Sequence, residues 1–156
     1  RGLLKKFNGE RTIIKIEHKS PIFLIESQER SKIIIKDTVF QSIVYFKTST
    51  GGQINATLNV KKARSISSLG GIIQLTGKTS SHEAKAITGG VITASNLISS
   101  QTNANTSSGG VCSAFGAEVF EATASLGGVV NVHGSPKSLT QSSFLGGQVI
   151  EKNSNE

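Results

Sequence analysis

Five times along the chain the same short pattern of apolar and polar positions returns: Gln53-Ile54-Asn55-Ala56, Ile72-Ile73-Gln74-Leu75, Val91-Ile92-Thr93-Ala94, Val111-Cys112-Ser113-Ala114 and Val129-Val130-Asn131-Val132. The second and fourth places are apolar and the third is polar, the period-two signature of a strand with one buried face. Ile54, Ile73, Ile92, Cys112, Val130 and Val149 are therefore expected to stack as one inward row. Ala56, Leu75, Ala94, Ala114 and Val132 form the next. Small residues at Ser65 and Ser67, Ala84 and Ala86, Ala104 and Thr106, and Ala122 and Ala124 predict a returning strand in each unit and a thin core.

Each run follows a Gly-Gly pair: Gly51-Gly52, Gly70-Gly71, Gly89-Gly90, Gly109-Gly110 and Gly127-Gly128, with a sixth at Gly146-Gly147. The steps between pairs are 19, 19, 20, 18 and 19 residues. A repeat of this length with apolar places kept in phase predicts stacked coils, each covering its neighbour's open face. A flexible Gly/Ser linker needs no such phase. Gly77, Asn96, Gly116 and Gly134 lie six residues past the second glycine, where Leu58 is the exception, and predict a second corner. The fold class is thus all-β, a single-stranded parallel β-helix (β-solenoid) with coils of about 19 residues.

Before the repeats, Thr12–Ile16, Ile22–Ile25, Lys32–Ile35 and Ile43–Lys47 are β-branched or aromatic runs, separated by polar breaks such as Lys19-Ser20-Pro21 and Gln28-Glu29-Arg30-Ser31. No Pro/Gly linker divides them from the rest. Residues 1–156 therefore read as one solenoid domain, with 1–50 its irregular first coils and cap, 51–151 the regular repeats and 152–156 a frayed polar tail. No 18-residue apolar run is present, and the chain opens at Arg1 without a visible leader, as expected of a processed or trimmed protein.

The net charge of +7 is uneven: residues 1–64 hold 13 Lys/Arg against 5 Asp/Glu, residues 65–156 hold 4 against 5. Lysines that keep edge coils soluble explain this more simply than an anionic partner does. No basic stretch is interleaved with aromatics in the manner of a nucleic-acid site, so nucleic acid is not an expected partner. Cys112, the single cysteine, falls in the inward row and reads as a small buried hydrophobe.

Polysaccharide lyases and hydrolases on β-helices need clustered carboxylates. Here Asp37 is the sole aspartate, and the repeats contain only Glu83, Glu118, Glu121 and Glu151, with Glu118 and Glu121 expected on opposite faces. His18, His82 and His133 have no second ligand at metal-binding spacing, and His133 reads as a solvated turn residue. Gly71–Thr79 resembles a phosphate-binding loop, but five residues separate its glycines instead of four and a strand follows instead of a helix. No elbow or Ser-x-x-Lys pair is present. Neither catalytic residues nor a cofactor are expected.

Two outward rows remain. Ile72, Val91, Val111 and Val129 form an aliphatic stripe that either packs on another copy or neighbouring segment, giving a homo-oligomer in the first case, or is tucked beneath an adjacent loop. Asn55, Gln74, Thr93, Ser113 and Asn131 form a polar ladder suited to glycan or ordered water, and equally to any solvated strand face.

The repeated Gly-Gly-x-[Ile/Val]-x-[Ala/Leu/Val]-x-Gly, together with Val132-His133-Gly134-Ser135-Pro136-Lys137 and Gly146-Gly147-Gln148-Val149-Ile150 at the close, resembles the bacterial GIN-domain family of auto-transporter adhesin heads over residues 7 to 152. The resemblance implies a right-handed parallel β-helix exported across the inner membrane to the periplasm, outer membrane or cell surface. It carries over no catalytic residue. The family's corner Asp is missing here, which weakens the case for acidic corners that bind cations. The expected function is a non-enzymatic binding or adhesion module whose partner is a glycan, lipid headgroup or protein at the cell surface. The alternatives are a self-assembling scaffold like the β-helical cytoskeletal proteins and, less favoured, a polysaccharide-acting enzyme.

Overall fold

A computed structural model describes residues 13–152. Three long strands, β4 (Gln53–Ser67), β5 (Ile72–Ile87) and β6 (Val91–Ser107), each run almost the whole way around one coil. Later coils break in two: β7 (Val111–Phe115) with β8 (Val119–Ser125), then β9 (Val129–His133) with β10 (Ser138–Phe144), before β11 (Gln148–Glu151) opens the last. All pairings are parallel. Among the described residues there is no helix, so none long and apolar enough to cross a membrane. The architecture is a β-solenoid.

Each coil is closed by a turn with a specific chemistry. The residue before each Gly-Gly pair and the first glycine both have positive φ, near 50° and 70°, and the second glycine's N–H donates to the carbonyl three residues back at 2.8–3.1 Å. That is a type I′ turn. The second glycine is needed for a different reason: a Cβ on Gly90 would lie 2.2 Å from the Ser67 carbonyl oxygen of the coil beneath. A seventh turn of the same type has no glycine. Glu29 (φ 51°) and Arg30 (φ 61°) form it, with Ser31 N–H donating to Gln28 O at 2.9 Å.

That turn shows how the N-terminal part joins the stack. β1 (Leu24–Ser27) pairs with β3 (Val39–Thr48), β2 (Lys32–Ile34) lies beneath the first part of β4, and β3 lies beneath the second. Of the N-terminal runs, Ile13–Ile16 is unpaired and exposed, and Thr12 lies outside the described residues. The tail beyond Lys152 also lies outside them; Lys152 N–H still donates to Val132 O at 2.8 Å.

The two inward rows are in place. Ile54, Ile73, Ile92, Cys112 and Val130 are fully buried and in register; Ala56, Leu75, Ala94, Ala114 and Val132 are buried too, each at most 6% exposed, with the register of this second row broken between Leu75 and Ala94; Val149 at the open end is half-buried. Across the core lie Ser65, Ala84, Ala104 and Ala122, and beside them Ala63, His82, Thr102 and Phe120.

The second corner differs from the expectation. Only Gly77 and Gly134 take positive φ there; Asn96 and Gly116 do not. The break in alternation, two consecutive outward residues, falls at Lys61-Lys62, Ser80-Ser81, Ser100-Gln101 and Glu118-Val119. Threonine and serine side chains take over there, Thr79 Oγ1 donating to Ser81 O at 3.0 Å and Ser99 Oγ to Gln101 O at 2.7 Å. Gly77 is required because Leu58 O approaches: a Cβ would lie 2.1 Å from it. The 20-residue step is absorbed by a bulge opposite Gln74–Thr76, which places Gly77 beside Leu97 rather than Asn96.

Candidate functional site

Strand alternation sends every second side chain outward, and parallel in-register stacking sets equivalent side chains about 4.8 Å apart along the solenoid. Two broad faces result. On the first, Ile72, Val91, Val111 and Val129 do align, with Gln148 at one end of the row and Gln53 then Lys32 at the other. All four are half-buried rather than fully exposed. Beside them Asn55, Gln74, Thr93, Ser113 and Asn131 align too, Gln74 and Thr93 exposed and the others half-buried. Asn131 Nδ2 donates to Ser113 Oγ at 3.0 Å.

The second face lies on the returning strands and bears longer side chains. Its central row is Tyr45, Arg64, Glu83, Asn103, Glu121 and Thr140, one from each successive coil. Arg64 Nη2 lies 3.1 Å from Glu83 Oε1. Asn103 Nδ2 donates to Glu121 Oε2 at 2.7 Å, and Asn103 Oδ1 accepts from Asn105 Nδ2 at 2.5 Å. One flanking row is Lys62, Ser81, Gln101 and Val119; the other runs from Lys47 through Ile66 and Lys85 to Asn105 and Thr123. Between the first two rows is a shallow depression of about 130 Å³, lined by Ser81, Gln101, Thr102, Asn103, Val119 and Glu121. At the base of this face Lys47 and then Gln28 hold the Glu26 carboxyl below its usual range, with Lys47 Nζ at 2.8 Å.

Among the described residues His82 and Cys112 are the titratable groups enclosed in the core. His82 is enclosed, its Nε2 2.8 Å from Ser65 Oγ and its Nδ1 without a partner, and burial lowers its pKa to about 4. Burial likewise pushes the Cys112 thiol up to about 12. His133 is not a turn residue: it ends β9, half-buried beside Phe115, and burial followed by nearby Lys152 lowers its pKa. Glu118 precedes β8 and binds Lys137 Nζ at 2.8 Å, away from Glu121. His18 Nδ1 sits 2.7 Å from Ser20 O on an exposed segment. Among the described residues no three His, Cys, Asp or Glu come together to hold a metal. Gly71 and Gly77, the glycines of the phosphate-loop likeness, are sites of close coil contact, with Thr48 and Leu58 respectively, and β5 begins directly after Gly71 and runs through Gly77 without a helix.

A coil length near 19 residues, type I′ corners on Gly-Gly and register kept over six coils are a specific combination, and a family model described as "putative auto-transporter adhesin, head GIN domain" matches residues 2–136. The chain belongs to the GIN-domain family. No curated protein and no solved structure matches it significantly. The second face of this GIN domain went unread in the sequence because its row changes residue type on every coil: aromatic, guanidinium, carboxylate, amide, carboxylate. The signal was present, since each member immediately precedes an inward residue of the row Ser65, Ala84, Ala104, Ala122.

Proposed function

We propose that this GIN domain is a non-enzymatic binding or adhesion module of an exported, cell-envelope or surface protein, with a glycan, lipid headgroup or protein as its partner. The observation that carries this reading is the pair of outer faces, each with polar side chains in register over successive coils. The family's adhesin-head description supports it. Glu83 and Glu121 share a row, but two coils separate them, about 9.6 Å of backbone, and each is engaged by a neighbour on an open surface. The aliphatic stripe is read as the contact for another copy of the chain. A glycan-array and lipid-strip screen of the purified domain tests the reading; an absence of ligand in both, and of any protein partner by cross-linking at the surface of cells, overturns it.

A self-assembling scaffold is the second reading. It draws on the outer edges of β1 and β2 at one end and of β10 and β11 at the other, which pair with no further strand among the described residues. The last coil weighs against it. Gln141, Ser143 and Glu151 occupy positions in register with buried Ala122, Ala124 and Val132, so the core ends in polar groups that a further coil would have to bury.

A further inference from the structure

We propose that the second face is a binding row for a neutral glycan chain, read by Arg64, Glu83, Asn103 and Glu121 with Gln101 at its flank; this rests on the binding-module reading above and names its partner and place. The row offers donors and acceptors in alternation: guanidinium, carboxylate, amide, carboxylate. A sugar hydroxyl both donates and accepts, so a polyhydroxylated chain laid along the stack finds a complementary group on each rung. The side chains are already fixed by one another, through the Arg64–Glu83 pair at 3.1 Å and the Asn105–Asn103–Glu121 chain. Fixed groups lose little entropy on binding. Each retains capacity for a ligand, since the pairs use one carboxylate oxygen of Glu121 and one N–H of Asn103, and the Gln101 amide bonds no other described residue. Val119, 36% exposed beside the depression, and Tyr45, 36% exposed at the row's base, supply apolar contact for the C–H faces of sugar rings.

The same features disfavour the other occupants. Arg64 neutralises Glu83, and the lysines of the flanking rows, Lys47, Lys62 and Lys85, lie on the earlier coils; at the depression Glu121 stands among neutral Gln101, Asn103, Asn105 and Thr123, where it disfavours phosphate, sulfate and anionic lipid headgroups. A peptide adding by strand pairing needs free backbone groups, and β4, β5 and β6 are paired on both sides here.

The test uses the purified chain. Neutral gluco-, galacto- and manno-oligosaccharides, sulfated oligosaccharides and phosphatidylglycerol vesicles are offered in parallel, and a neutral binder is titrated by calorimetry. Asn103→Ala and Glu121→Gln are expected to weaken it at least ~tenfold, with Asn96→Ala, an exposed residue off both faces, unchanged. Melting curves establish that each variant is folded, and Gln101→Ala replaces any that is not. Neutral binding that survives these substitutions, or that falls only in Asn131→Ala on the first face, overturns the row while leaving the module reading intact. Binding to sulfated sugars or vesicles alone overturns the ligand class, again leaving the module. An absence of binding to every probe, with no protein partner, overturns both.

Discussion

His82 makes the solenoid acid-sensitive, and the size of the effect follows from its surroundings. The imidazole is 1% exposed, between Ala63 and Thr102 on the adjacent rungs, with Ser65 Oγ its hydrogen-bond partner and Nδ1 unpartnered. Burial lowers its pKa from 6.5 to about 4. The folded state therefore favours the neutral ring, while the unfolded chain takes up a proton below pH 6.5. Above that pH both states are neutral and stability is complete. It falls as pH drops from 6.5 to about 4 and then levels off. At 1.36 kcal/mol per unit the loss approaches about 3 kcal/mol, of which about 2 is gone by pH 5. Urea unfolding of the wild type and of His82→Leu, between pH 7.5 and 4, isolates the term. The variant loses the Ser65 hydrogen bond and is less stable at pH 7.5, but its curve should be flatter through this window. Parallel curves for the two proteins would refute the assignment of acid sensitivity to His82. The Glu26 carboxyl, held below its usual range by Lys47, is common to both.

Within one Gly-Gly pair the two glycines should differ. Gly89→Ala meets nothing within 4 Å and costs only its left-handed backbone, about 1–2 kcal/mol, whereas Gly90→Ala strikes the coil beneath and should cost more than about 4 kcal/mol or prevent folding; equal losses in urea unfolding would contradict the two-role reading. Thr88, β-branched at φ 49°, is strained, so Thr88→Asn should stabilise by about 0.5–1 kcal/mol and raise the melting temperature. Cys112 should resist thiol reagents in the native protein and react at the rate of unfolding; fast labelling would show that its site opens locally. Val91→Lys with Val111→Lys should change the molar mass seen by light scattering, and an unchanged mass removes the stripe as a contact between copies.

Much of this architecture was legible in the chain before any coordinates. Ile54, Ile73, Ile92, Cys112 and Val130 announce a buried row because alternation is a local property, and the Gly-Gly spacing converts five such alternating runs into stacked coils. The Glu29-Arg30 turn was invisible because its conformation is imposed by the coil above, Arg30 N–H donating to Thr50 O at 3.0 Å, and not by a glycine. The second corner was misplaced for a related reason. Glycine marks positive φ or close approach, and at Gly116 it marks neither a positive φ nor a turn: a Cβ there would press on Phe120, 2.7 Å away.

Sequence alone determined the coil length, the inward rows and the absence of a local catalytic motif, since each depends on neighbours a few residues apart. The tertiary structure alone decided which outward residues become neighbours. Arg64, Glu83, Asn103 and Glu121 are 18 to 20 residues apart along the chain, and only parallel register, bulge included, brings them onto one row. A strand pattern states which side of the sheet a residue faces; the stacking of coils states what stands beside it.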